Sequence, residues 1–301
     1  MHTSTPLVLR PPPAALEDSI KELEEMMRSL VIGSDTVKGV ALSDSIRAAI
    51  GHFDAGGQRV RAKLALHAGE ALGLTQADSV VIGATVELLH NASLVHDDLQ
   101  DRERMRRGTQ TVWAAYGDEV AICTGDLLLS SAYGALAAIS DPRLLRELIA
   151  LVHARTALVI RGQCLELSAR GQQIVDMADY EQIVVGKSGA LLSMPLEMAL
   201  LASGKREWME EARCAAEAFG ISYQIVDDLE DVESDAAGDA GPRAVNALLV
   251  LRAAGYGTGA EAVAREIGLR HLRTAVASAG RLPNGSGAFL QELTMALAQR
   301  L

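Results

Sequence analysis

The sequence predicts an all-α protein folded as a single domain, and three observations lead there. Of 301 residues, 49% are hydrophobic but only 3% aromatic, so the core must be built from Leu, Ala, Val, Ile and Met. Ala, Leu and Met are strong helix formers, and strand-favouring aromatics are scarce. Long stretches repeat apolar residues at helical spacing, and no stretch of useful length alternates apolar with polar. No segment repeats at a fixed period, and no linker interrupts the middle of the chain.

Taken in order, Met1 to about Ala14 is Pro-rich and expected as a flexible arm, leaving 15–301 as the helical domain. Leu16 to Leu30 is amphipathic and forms the first expected helix. Ser43 to Phe53 forms the second, stopped by Asp54-Ala55-Gly56-Gly57. A third helix is expected from Gln58 to Leu72, and Thr75 to Asp78 starts a long fourth that ends in acids. Asp118 to Ile139, Asp141 to Arg170, Asp176 to Ala202 and Lys205 to Glu233 follow as long apolar-periodic helices parted by Gly, Asp or Ser. Three shorter helices close the chain, Pro242 to Ala254, Ala260 to Ala279 and Gly287 to Arg300.

The chemistry concentrates in ELLHNASLVHDDLQDRERMRRG, Glu87 to Gly108. His90, Leu94, Asp97 and Asp101 fall on one helical stripe, with Asp98 beside it. Like charges one turn apart cost a helix about 0.2–0.5 kcal/mol per pair. A fold that keeps them together has a cation to place there. Few carboxylates on a rigid helix suit Mg²⁺ completed by water and a substrate phosphate. The spacing returns at Asp227, Asp228 and Asp231, with Gln224 on the same stripe. With 18 aspartates in the chain, chance supplies such a DDxxD only about 0.06 times. Both copies follow apolar runs, which places them at the mouth of a core rather than on a solvated face. The two clusters are expected to face one cavity.

Basic groups surround the acids in sequence. Gly56-Gly57-Gln58-Arg59-Val60-Arg61 is a Gly-rich entry to a helix, either an anion site made by free N–H groups or an ordinary helix start. Arg106 and Arg107 carry forks suited to diphosphate oxygens, though an arginine pair is as often solvated surface. Lys187 lies in the apolar run Ile183 to Leu201 and needs an anionic partner. Gln163 and Glu166, one turn apart, read equally as a site pair or as core polar pairing. His90 can bond a diphosphate, while His96 packs beside the cluster.

The net charge of −11 argues against a nucleic-acid partner, so anionic substrates must be attracted locally. Cys123, Cys164 and Cys214 lack metal spacing and are expected as buried thiols of a cytoplasmic protein. No apolar run is expected to span a membrane, and the N-terminal stretch lacks the pattern of a signal peptide.

With GGQRVR, ELLHNASLVHDDLQD and its RRG, GDLLL, GQCLEL, GKSGAL and YQIVDDLED in order from Gly56 to Asp231, the chain resembles the trans-isoprenyl diphosphate synthase (polyprenyl synthetase) family. The resemblance implies an isoprenoid synthase helical bundle around a deep central cavity, as a homodimer without stable membrane insertion. It implies head-to-tail condensation of isopentenyl diphosphate with an allylic diphosphate, using Mg²⁺, three ions per site with substrate bound. Asp97, Asp98, Asp101, Asp227, Asp228 and Asp231 match the metal motifs. Arg106 and Lys187 match groups that hold the allylic diphosphate. Gln224 joins them there and, with Ser188 and Gln163, faces the developing cation. Gln58, Arg61, His90 and Arg107 match the isopentenyl diphosphate site. Ala92 and Ser93, one turn before Asp97, stand where bulky aromatics close the pocket at short products, with Leu88 and Leu89 as the next floor. Small residues there imply geranylgeranyl diphosphate or a longer product.

Departures from the family pattern keep two alternatives in play. Gln58 stands where Lys is usual, Glu166 where Asp is commoner, and no Lys occurs beyond Lys205, so Arg243 is left to replace the usual lysines after the second motif. A non-catalytic subunit of a heteromeric synthase would explain lost lysines, though such subunits commonly lose aspartates too. A class I terpene cyclase would explain one Asp-rich motif but not the residues for a second diphosphate.

Overall fold

The computed structural model describes residues 14–33, 42–169, 176–236 and 245–301, and of residues 14 and 231–236 only the backbone. The expected N-terminal arm, the Asp231 side chain and Arg243 lie outside what is described. Two compact units share the chain, one ending at Ile149 and one running from Ala150 to Leu301.

The first unit is built on α1 (Ala14–Ile32), α2 (Asp44–Asp54), α3 (Val60–Leu72), α4 (Gln76–Asp101), a two-residue hairpin of β1 (Met105–Arg106) and β2 (Thr109–Gln110), α5 (Val112–Tyr116) and α6 (Asp118–Ala135). α4 is its axis. Val80 to Leu89 is buried on every side because α1, α3 and α6 all pack against it. Gly83 lets α1 approach, since a Cβ there would stand 2.5 Å from the Leu23 side chain. Ser43 and Thr75 cap α2 and α4, as their positions before apolar periods predict.

The second unit takes most of α7 (Leu145–Ala169), then α8 (Met177–Val184), a π-helical turn at Val185–Gly189, α9 (Ala190–Ala202), α10 (Met209–Ala236), α11 (Ala247–Leu251), α12 (Ala260–Arg281) and α13 (Ala288–Leu297). α10 is the axis here, packed on α9 and α12. Tyr180, Ile221, Ile225, Leu248, Val250 and Leu251 form a core around its second half.

The all-α class holds in both units. Helix limits agree with the sequence reading to within a few residues, except that of the helix expected at 242–254 the described residues show Ala247–Leu251 and a π turn at Arg252–Tyr256, residues 242–244 lying outside them. Two expectations need correcting. Cys123, Cys164 and Cys214 are exposed free thiols on outward helix faces, not buried ones. Three stretches, Asp118–Ala138, Pro142–Ala169 and Met177–Ala202, are long and apolar enough to cross a membrane by length and composition. The most apolar part of the last is 83% buried inside the protein, which accounts for its apolarity without a bilayer; that of the middle one is 28% buried.

Candidate active site

In the first unit the acidic cluster closes α4. Arg102, in the left-handed conformation at φ 57°, ends the helix directly after Asp101. Asp97, Asp98 and Asp101 therefore sit where the helix dipole already presents negative charge, with no basic residue in the last turn to offset it. Asp98 is buried, and burial raises its carboxyl pKa against the opposing pull of Arg106. Arg106 Nε donates to both carboxylate oxygens, at 2.8 and 3.0 Å. Asp97 and Asp101 are half-buried.

The hairpin explains why two arginines precede a glycine. Arg107 and Gly108 both have positive φ, 52° and 79°, as a two-residue primed turn requires. That turn carries the Arg107 guanidinium onto the Gly56–Gly57 loop, where it donates to the Gly56 carbonyl. At Gly57, φ is 146° and a Cβ would lie 2.8 Å from Arg107 Nη1, so a side chain there would be strained and would push the guanidinium aside. Arg59 fastens the same loop from beneath, donating to Glu24 at 2.8 Å and the Phe53 carbonyl at 3.3 Å. Gln58 and Arg61, half-buried, flank the start of α3. The anion site expected at that helix start is already partly filled: buried Glu87 accepts the Ala62 N–H at 3.0 Å.

Electrostatically this corner is a cation cluster. Burial, then the charges of Arg107, Arg106 and Arg59, push His52 down to about 3. Burial, then Arg61, Arg107 and Arg106, hold His90 well below the ordinary histidine range. Burial and like charge from Arg106 and Arg59 also lower Arg107. Both imidazoles are thus neutral at pH 7 beside four arginines, and the cluster is suited to an anion. A cavity of about 190 Å³ adjoins it, lined by His52, Arg106, Arg107, Thr109, Gln110 and Tyr116 among others. On α4, Leu88, Leu89 and Ala92 are buried, while Ser93 is half-buried with its hydroxyl bonded to the His90 carbonyl at 2.8 Å. His96 packs against Gly125 of α6.

In the second unit Lys187 and Ser188 ride on the π turn, which sequence periodicity did not foreshadow. Gly162 of α7 faces it so closely that a Cβ would lie 2.6 Å from the Lys187 backbone nitrogen. Lys187 Nζ donates to Glu166 at 2.5 Å, and Gln163 is buried one turn away. On α10, Asp227 is half-buried with Arg300 Nη2 at 3.8 Å. Asp228 is buried; its carboxylate accepts the Tyr180 hydroxyl at 2.7 Å, the Ala247 N–H at 2.8 Å and Gln224 Nε2 at 2.9 Å. Sequence reasoning missed Glu24, His52, Glu87, Tyr180, Asn246 and Arg300, whose roles depend on partners distant in sequence. Among the described residues no three His, Cys, Asp or Glu side chains converge to hold a metal ion by themselves.

A sequence model of the polyprenyl synthetase family matches residues 44–241. The chain is 28% identical over 219 residues to a short chain isoprenyl diphosphate synthase of Methanothermobacter thermautotrophicus, covering 72% of this chain and 67% of that one. It is 35% identical over 184 residues to an all-trans-nonaprenyl-diphosphate synthase of Rhodobacter capsulatus, covering 61% of this chain but only 55% of the relative's length. The crystal structure of geranylgeranyl pyrophosphate synthetase from Pyrococcus horikoshii superposes with a TM-score of 0.81 at 24% identity, covering 96% and 98% of the two chains, a likeness of fold.

Proposed function

Because the chain belongs to the polyprenyl synthetase family, we propose that it is a Mg²⁺-dependent chain-elongating prenyltransferase, joining isopentenyl diphosphate to an allylic diphosphate head to tail. The observation that carries this reading is the arginine cluster of the first unit: Arg59, Arg61, Arg106 and Arg107 around two neutral histidines, in a chain of net charge −11. Such a site attracts a diphosphate that the protein as a whole repels. Arg61, Arg107, His90 and Gln58 hold isopentenyl diphosphate; Arg106, Lys187 and Gln224 hold the allylic diphosphate; Ser188 and Gln163 face the cation.

The donor set fits magnesium. Half-buried carboxylates, too few to enclose an ion unaided, suit Mg²⁺ that arrives with substrate phosphate and keeps water ligands. Asp97 and Asp101 of the first unit and Asp227 of the second would offer it oxygen ligands, and when bound it supplies Lewis-acid stabilisation of the departing diphosphate. Arg106 and, by the family resemblance, Lys187 add positive charge toward an allylic diphosphate. Once the allylic C–O bond ionises, isopentenyl diphosphate attacks the cation and a proton leaves to the released diphosphate. Among the described residues no side chain is needed as a general base.

Small Ala92 and Ser93, above Leu89, support a product of twenty carbons or more. The exposed Ile160 and Leu165 of α7 support a homodimer contact through that helix. Cytoplasmic location remains part of the same proposal. The test is diphosphate release by the purified chain with Mg²⁺ and farnesyl diphosphate, with and without isopentenyl diphosphate. Release only when both are present supports the reading. Release from the allylic substrate alone favours a cyclase, and none with any allylic substrate favours a non-catalytic subunit.

A further inference from the structure

Among the described side chains of the two aspartate motifs the second aspartate is buried, at 1% exposure for Asp98 and 4% for Asp228. Each is held by several protein donors. Asp98 is gripped by Arg106, whose Nη2 stands 2.7 Å from Oδ1 in addition to the two Nε contacts. Asp228 has donors on both oxygens: the Tyr180 hydroxyl and Ala247 N–H meet on Oδ2, and Gln224 Nε2 reaches Oδ1. Its backbone carbonyl accepts Asn246 Nδ2 at 3.1 Å, while Asn246 Oδ1 caps α11 by accepting Leu248 N–H at 2.9 Å. Tyr180 is fully buried, so its hydroxyl has no water to turn to. Mg²⁺ demands near-ideal octahedral oxygen geometry, and with three donors on its two oxygens Asp228 has at most one lone pair left to offer.

We propose that Tyr180 and Asn246 are positioning residues: with Asp228 they lock α10 to α8 and to the start of α11, and so set the direction of Gln224 and Asp227. Asp228 serves the lock and does not ligate metal. The lock stands on geometry; only its link to magnesium rests on the function proposed above.

The test uses the full chain with Mn²⁺ and inorganic diphosphate, followed by electron paramagnetic resonance, beside steady-state kinetics and thermal melts. Tyr180→Phe keeps the ring and removes the hydroxyl. Asn246→Ser keeps a helix cap but loses the bond to Asp228, and serves if the first variant folds poorly. The lock predicts that both weaken Mn²⁺ binding at least fivefold with the number of ions unchanged. They should raise the Mg²⁺ needed for half-maximal turnover to match, and leave the KM for isopentenyl diphosphate unaltered. A purely structural role would lower the melting temperature and the active fraction while leaving metal affinity alone, and that result overturns the proposal. So does Asp228→Asn if it binds one ion fewer while Tyr180→Phe binds normally. Metal binding needs no turnover, so an inactive wild-type chain would sink the functional reading and still leave the lock tested.

Discussion

The Arg107 guanidinium rests on the Gly56–Gly57 loop, donating to the Gly56 carbonyl from a hairpin tip 51 residues further along the chain. One relationship thus explains two sequence features: Gly57 lies where a side chain would crowd the guanidinium, and the primed turn after Arg106 delivers the cation.

Replacing Gly57 by Ala should displace Arg107. The φ of 146° costs a side chain about 1–2 kcal/mol, and the Cβ would meet the guanidinium. The KM for isopentenyl diphosphate should rise about tenfold, with kcat less affected, since uniform binding is what is lost. Equal KM values for variant and wild type would show that Arg107 does not need this seat.

His52 makes the fold acid-sensitive. Its folded pKa of about 3 lies below the ordinary histidine value of 6.5, so the unfolded chain takes up a proton that the folded chain refuses. Stability is therefore present above pH 6.5 and is lost as pH falls from there toward 3. Urea titrations at pH 7 and pH 5 should differ by on the order of 2 kcal/mol from this group. His52→Gln should shrink that difference, and an unchanged difference would mean the cluster does not hold the imidazole neutral.

Gly162→Ala should force α7 away from the π turn, because the clash is with backbone that cannot rotate aside. A loss of about 1–3 kcal/mol is expected in chemical denaturation. Lys187 moves with the turn, so the KM for the allylic diphosphate should also rise. A variant as stable as the parent would contradict the backbone contact.

Asp97→Asn and Asp227→Asn should each reduce kcat about 10²–10³-fold with little change in melting temperature, since both residues are half-buried. Chelation of Mg²⁺ should abolish turnover in the parent, and readdition should restore it. Activity that survives chelation would remove the metal from the account.

Much of this was legible in the sequence, and the illegible part has a common cause. α4 could be placed because Thr75 caps an uninterrupted apolar period and its acids mark the end. The aspartates, Arg106, Arg107 and Lys187 stood out as candidates by type and spacing. The hairpin at 105–110 was missed because two residues per strand carry no alternation to read. The π turn at Lys187 was missed because one extra residue in a helix barely disturbs its apolar period. Glu87 on Ala62 and Tyr180 on Asp228 lie 25 and 48 residues apart, and no local pattern announces such a bond. The exposed cysteines show the converse error: residue type suggested burial, and helix face decided otherwise.

The most direct measurement is incorporation of isotopically labelled isopentenyl diphosphate by the purified chain, with Mg²⁺ and dimethylallyl, geranyl or farnesyl diphosphate, resolving products by carbon number. The account predicts label in allylic diphosphates of twenty carbons or more, and shorter products from Ala92→Phe. Label that never leaves isopentenyl diphosphate, whatever the allylic partner, would contradict it.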